Sequence, residues 1–247
     1  MDRYTGFARI YDKVMAAVDY EAWASYVERI LARAGISFSS VLDLACGTGN
    51  TSFPFAARGH RVYGVDLSPE MLQVAAEKAA RLGLDVRFLE QDMREVRLPE
   101  RVDLALCLYD SMNYMLTSED LFKVFTSVFR ALNRGGAFVF DMNSSYQIRT
   151  VRPDITFFED DDVALVWEDR VSPDGRLWEV ELTVFERTKG GLYRRFKETH
   201  TERGYELDEV LELAARAGFT NLAQYEAFTM HPPCEQSRRI YFLCQRP

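Results

Sequence analysis

The stretch VLDLACGTGN, residues 41–50, decides the fold. Its apolar run VLDLA has the length of a strand and stops at Gly47 and Gly49, which let the chain turn sharply and leave the backbone bare. The next apolar strand is RVYGV (61–65), with a helix-length segment between the two. Strand, glycine turn, helix and strand form a parallel unit whose loop admits a ligand at the strand's carboxyl end.

The same rhythm continues outward from this unit. Ser68 supplies a cap, Pro69 a first-turn proline and Glu70 a first-turn acid, and Leu72, Ala75, Ala79 and Leu82 recur at helical spacing until Gly83. Then come LDVRFLE (84–90), VDLALCLY (102–109), a helix from Ser118 to Leu132 ended by the run 133–136, and AFVFD (137–141). Such alternation predicts an α/β fold, a doubly wound Rossmann-like sheet with helices on both faces.

After Asp141 the pattern changes. Runs 163–171, 177–188 and 191–201 are rich in Val, Leu, Trp, Phe and Thr and are separated by SPDGR and KGG, which have hairpin-turn composition. In the middle run Trp178, Val180, Leu182 and Val184 share one face, with Glu179, Glu181 and Thr183 on the other. An inserted antiparallel meander is the expectation, with the acidic run 159–162 as a solvated loop at its start. A helix over 206–217, closed by Gly218, leads to two last strands near 219–228 and 237–245. About ten residues separate them, too few for a helical crossover, so they should pair antiparallel.

Composition narrows the partners. The 247 residues are 47% hydrophobic and 28% charged, as in an ordinary globular protein, and no apolar run approaches the roughly 20 residues that span a bilayer. The charged N-terminus lacks the apolar core of a secretory signal, so a cytoplasmic location is the default expectation. A formal charge of −8 argues against a surface built mainly for nucleic acid, and a small-molecule partner is expected instead. The four cysteines lack C-x-x-C spacing and the three histidines are scattered, so neither a zinc site nor a disulfide framework is predicted; HPPC (231–234) reads as a turn.

Three acids then bear on the ligand. Asp66 ends the second strand, where an acid accepts ribose hydroxyls, and Asp92 ends the third, where it is placed for the exocyclic amine of an adenine. A dinucleotide fingerprint would put its third small residue at Ser52, so that match is partial. A pyrophosphate gains nothing from acids at 43, 66 and 92, whereas a cationic adenosine cofactor tolerates them.

Taken together, VLDLACGTGN, GVDLSPEML (64–72), EQDMREV (90–96) and VDLALCLYDSMNYM (102–115) resemble the class I S-adenosylmethionine-dependent methyltransferases, whose sheet ends in an antiparallel strand. YTGFARIYDKVM (4–15) and the meander look like the small bacterial members that include sugar-amine N-methyltransferases. The resemblance implies residues 1–40 as an N-terminal helical lid, 41–150 and 202–247 as the Rossmann-like domain, and 151–201 as an inserted substrate-side subdomain. It implies S-adenosylmethionine as cofactor, with Ala45, Cys46, Gly47 and Gly49 receiving its methionine moiety and Asp43 in support. Asp66, with Leu67 beside it, would bind the ribose, Asp92 and the Met93 main chain the adenine, and Leu108 and Tyr109 would border the methyl donor. Tyr11, and with it Tyr4, would close over the cofactor.

Methyl transfer from a sulfonium needs alignment and exclusion of water more than it needs a base. The segment after the fourth strand offers Asp110, Asn113 and Tyr114. Asp110 reads either as an acid facing the methyl donor or as a helix cap, and Asn113 and Tyr114 either as substrate contacts or as ordinary loop residues. On RRFKETHTER (194–203) alternation puts Arg194, Phe196, Glu198, His200 and Glu202 on one face. Facing the cofactor pocket, His200 would be a general base and Arg194 an anion clamp; otherwise the strand is a solvated, charge-paired hairpin. Trp167 and Trp178 read as core or as substrate lining. The sequence lacks the N/D-P-P-Y/F motif of adenine N-methylating relatives. The expected activity is methyl transfer to nitrogen or oxygen of a small molecule by a monomer or homodimer. The alternatives are a nicotinamide-dependent oxidoreductase, a non-catalytic cofactor-binding protein, and a methyltransferase acting on RNA or protein.

Overall fold

Two helices open the described chain, which comprises residues 7–188 and 190–247 of a computed structural model. They are α1 (Ala8–Val14) and α2 (Tyr20–Arg33). Asp19 caps α2 by accepting from the Ala22 N–H at 2.9 Å, and Trp23, Tyr26, Val27, Ile30 and Leu31 bury one stripe of the helix. That stripe packs with Val41, Leu106 and Tyr241, so α2 is a layer of the main fold. Phe7 and Ile10 pack instead among residues of the second sheet. The segment expected as a lid therefore divides: Phe7, Tyr11 and Met15 reach the site, joined by Tyr20 at the start of α2, while the buried stripe of α2 belongs to the main fold; Tyr4 lies outside the described residues.

The main body runs β1 (Ser40–Leu44), α3 (Ser52–Ala57), β2 (Arg61–Asp66), α4 (Pro69–Leu82), β3 (Val86–Glu90), β4 (Val102–Cys107), α5 (Ser118–Ala131) and β5 (Leu132–Asn143). α4 starts as its sequence requires: the Ser68 hydroxyl accepts from the Met71 N–H at 3.2 Å, Pro69 takes the first position, and Gly83 ends the helix at φ +66°. β5 is longer than AFVFD because Leu132 already pairs with Val102 before an irregularity in the ladder. After α6 (Ser145–Thr150) come β6 (Ile155–Glu159), β7 (Val163–Val171), β8 (Leu177–Arg187) and β9 (Tyr193–Arg203), and then α7 (Leu207–Arg216), β10 (Thr220–Glu226) and β11 (Arg239–Gln245).

The large sheet has the order β10-β11-β5-β4-β1-β2-β3, parallel except that β11 is antiparallel to both its neighbours. From β1 the chain winds outward through β2 and β3, then returns to place β4 on the other side of β1. The order reverses between β1 and β4, and the crevice at their carboxyl ends is where an open α/β sheet binds ligands.

The second sheet, β6-β7-β8-β9, is antiparallel and has four strands where the sequence reading gave three. β6 was missed because it is an edge strand, exposed along most of its length, and so carries no alternation of burial. The acidic run consequently turns β6 into β7 and does not open the insertion. There Asp160 accepts from the Asp162 and Val163 N–H groups at 2.8 and 2.7 Å, and Lys13 of α1 bridges Asp160 and Asp162 at 3.1 Å each. Buried Leu165, Val180, Leu182 and Val184 form the face of this sheet that packs on Phe7 and Ile10.

Candidate functional site

At the end of β1 the backbone enters left-handed conformations at Ala45 (φ +52°), Gly47 (φ +53°) and Gly49 (φ +83°). The two glycines serve different ends. A Cβ at Gly47 would meet nothing within 4 Å, so its backbone angle requires glycine and open space lies before it. At Gly49 a Cβ would come 2.7 Å from the Phe53 ring, so this glycine lets the loop pack onto α3 from behind, away from the cavity wall. Ala45 and Cys46 share the wall with Gly47.

Two strand-end carboxylates hold the loop. Asp43 accepts from the hydroxyls of Thr51 and Ser52, both at 2.6 Å, while its other oxygen is buried without a partner. Asp66 accepts from the N–H groups of Gly47 and Ser68 at 2.8 and 2.9 Å and faces the cavity, where Leu67 forms an exposed rim. Burial raises both acids, Asp43 from 3.8 to about 6. The folded protein thus holds the Asp43 proton more tightly than the unfolded chain does. Its stabilising contribution is fully present below about pH 4 and is lost as pH rises through about 6, a change of about 3 kcal/mol. Asp43→Asn should therefore gain stability relative to wild type between about pH 5 and about pH 8 in urea melts, and parallel pH profiles would show that the carboxyl is not protonated.

α1 is clamped to this loop by a contact between residues far apart in the sequence. Asp12 accepts from the Thr48 hydroxyl at 2.6 Å, the Asn50 amide at 2.8 Å and the Lys78 ammonium at 2.6 Å. The clamp sets Tyr11, edge-on to Phe7, into the cavity wall. Its signal was the acid beside Tyr11 in IYDKVM, whose partner, Lys78, lies 66 residues away. At the end of β3, Met93 and Asp92 also line the cavity, but the Arg94 guanidinium grips Asp92 at 2.6–3.0 Å and holds its carboxyl below the usual range. The sequence alone places that carboxylate for adenine, without its arginine partner.

After β4, Tyr109 (φ +67°) and Asp110 (φ +56°) turn the chain through two successive left-handed residues, a costly conformation outside glycine. Asp141, fully buried at β5, stabilises the turn by accepting from the N–H groups of both, at 2.6 and 3.1 Å. Arg239 of β11 ion-pairs with Asp141 and, at 2.7 Å, with Asp110. Leu108, Tyr109 and Asp110 line the cavity. Asn113 does not: it is buried, donates to the carbonyls of Asn143 and Arg203 at 2.9 and 2.8 Å, and accepts from the Asn143 N–H at 2.9 Å. It joins the strands and stands apart from the acceptor space for which it was a candidate.

β8 and β9 close the cavity from above. His200 is only 5% exposed, with Nδ1 3.3 Å from the Tyr114 hydroxyl and Nε2 3.5 Å from Glu198. Glu202, 6% exposed, lies next to Asp110 and accepts from the Asn143 amide at 2.8 Å; burial and the neighbouring acid push it well above the usual carboxylate range. The indole N–H groups of Trp167 and Trp178 both donate to Asp169 at 2.8 Å, which fixes the two rings as an aromatic wall. Arg194 falls outside the site: it sits at the outer end of the same strand face, exposed and paired with Glu186 at 2.5 Å. The solvated-hairpin reading thus describes Arg194, whereas His200 is buried and on the cavity wall. The cavity is about 1120 Å³, more than one drug-sized ligand fills.

This fold, with a glycine loop and a strand-end acid at the switch point, defines a class of enzyme, and comparison with known proteins agrees. Residues 41–136 match the methyltransferase domain family. The chain is 37% identical to the "Putative methyltransferase YqeM" of Bacillus subtilis (strain 168) over 98% of its own length and 97% of the relative's. A crystal structure of an S-adenosylmethionine-dependent methyltransferase from Clostridium acetobutylicum ATCC 824 superposes with a TM-score of 0.86 at 33% identity, covering 98% of each chain. The dTDP-3-amino-3,4,6-trideoxy-alpha-D-glucopyranose N,N-dimethyltransferase of Streptomyces venezuelae is 28% identical over 74% of this chain and 76% of its own. The chain belongs to the S-adenosylmethionine-dependent methyltransferases. Among the described residues no helix is long and apolar enough to cross a membrane.

Proposed function

We propose that the enzyme transfers a methyl group from S-adenosylmethionine to nitrogen or oxygen of a small-molecule acceptor bound between the two sheets. The observation that carries this reading is the continuity of one cavity, from Gly47 and Asp66 at one end to Trp167, Trp178 and His200 at the other. The residues present suit the cofactor. The unpartnered oxygen of Asp43 and the raised Asp66 carboxyl are sites where burial disfavours negative charge, so a cationic ligand relieves both. Asp66 would hold the ribose, the Gly47 loop the methionine portion, and Met93 and Leu67 the adenine side. When bound, the cofactor supplies an electrophilic methyl on a sulfonium.

The protein's own part is to align the acceptor and to exclude water. α1, pinned by Asp12, would cover the cofactor end with Tyr11. Tyr114 and Glu198 orient His200, which would take the acceptor's proton. The amino-sugar dimethyltransferase relative supports nitrogen as the acceptor atom. Mass-spectrometric screening of amines and alcohols for methyl addition, with S-adenosylhomocysteine formation, tests the activity; cofactor binding without turnover on any acceptor would count against it. His200→Gln should leave S-adenosylhomocysteine affinity unchanged while kcat falls by about 10²–10⁴, the usual worth of a positioned base. An unaltered kcat would reduce His200 to a packing residue.

A further inference from the structure

The acceptor end of the cavity has a charge that the family comparisons do not convey. Asp110 and the supporting Asp141 ion-pair there with a single guanidinium, that of Arg239, and Glu202 lines the same wall next to Asp110. Three carboxyls therefore stand near one cation, and an incoming ammonium favours the ionised form of Glu202, which a glutamine cannot supply. Among the described residues of the cavity wall, the other arginine is Arg94, and it is held by Asp92 at 2.6 Å and Asp120 at 3.1 Å. Side chains that recognise a phosphate are Arg or Lys donors not already neutralised by an acid. Beside the acids stand Trp167 and Trp178, whose N–H edges are turned to Asp169. An indole face next to buried carboxylates suits an organic cation with an apolar body.

We propose, resting on the methyl-transfer reading above, that the acceptor is a small aromatic or apolar amine that enters as its ammonium ion, with Glu202 as the residue that selects its charge, and that nucleotide-linked sugars are excluded. The ammonium gives one proton to His200. The freed nitrogen lone pair forms the N–C bond as the methyl C–S bond breaks, that bonding pair stays on sulfur, and the two remaining N–H protons leave with the secondary ammonium product. The excluded class is informative, because the amino-sugar relative acts on a substrate that carries a nucleoside diphosphate. In this chain a diphosphate would meet acids on both sides of each arginine.

The test is calorimetric titration of the full chain, saturated with S-adenosylhomocysteine, with 2-phenylethylamine, 2-phenylethanol and dTDP. The amine should bind about tenfold or more tighter than the isosteric alcohol, and dTDP should give no binding at millimolar concentration. Glu202→Gln should remove most of the amine's advantage and leave S-adenosylhomocysteine affinity unchanged. Equal affinity for amine and alcohol, absence of amine binding, or binding of dTDP overturns the proposal, and the wild-type comparison stands even if the variant fails to fold. Failure of S-adenosylhomocysteine itself to bind overturns the methyl-transfer reading beneath it, an outcome separate from failure of the amine arm.

Discussion

Asp66→Ala should lower affinity for S-adenosylhomocysteine by about a hundredfold or more while the fold survives. The side chain contributes twice. It stands at the end of β2 facing the cavity, where each hydrogen bond that a ribose hydroxyl gives to an ionised acceptor is worth about 1.5–3 kcal/mol. It also accepts from the Gly47 N–H at 2.8 Å and so holds the loop on which the rest of the ligand lies. The fold should persist because β2 is paired on both sides by β1 and β3, and the two N–H groups released border the cavity, where water can reach them. Asp66→Asn, which keeps one acceptor oxygen, should fall between variant and wild type. Titration calorimetry with parallel melting curves measures both effects, and an unchanged affinity in the alanine variant would refute the ribose assignment.

Arg239→Met is expected to cost stability more than any other single change at the site. The guanidinium separates Asp110 from Asp141, lies 5.4 and 5.3 Å from the Trp23 and Tyr109 ring centres, and touches the cluster that contains Glu202. Removing one partner from a buried ion pair typically costs about 3–5 kcal/mol, because the charges left behind stay desolvated. In a chain of this length that lowers the melting temperature by about 10 °C. The left-handed turn at Tyr109 and Asp110 should loosen too, since its two N–H groups rest on Asp141. Adding Asp141→Asn to Arg239→Met should restore part of the loss, and the double-mutant cycle measures the coupling. A loss below about 1 kcal/mol would mean that the acids simply take up protons and that the pair contributes little.

Much of the cavity's end at β1, β2 and β3 was legible in the sequence because its signals are local. Gly47 and Gly49 mark a turn, Ser68 and Pro69 start a helix, and Asp66 and Asp92 end strands whose period had already been read. The short connection between the last two strands sufficed for their antiparallel pairing. The acceptor side was legible only in outline. Alternation placed His200 and Arg194 on one face of β9, but it carries no information about where along that face the other sheet ends. His200 opposes buried Val180, and Arg194 opposes Glu186 in solvent.

What the sequence alone determined, then, is the order of the elements, the parallel sheet with its reversed end, and the placing of acids at the strand ends. These follow from backbone periodicity and from turn chemistry, which act over a few residues. Only the tertiary structure decided that Asp12 clamps α1 to the loop through Lys78, that Arg94 engages Asp92, and that Asp110 and Asp141 pair with Arg239 while Glu202 lies next to Asp110. Three of these residues, Asp110, Glu202 and Arg239, come from segments 37–129 positions apart, and they interact because sheet register and the packing of one sheet against the other bring them together. No local pattern encodes that proximity, and the burial that gives those charges their strength exists only once both sheets are in place.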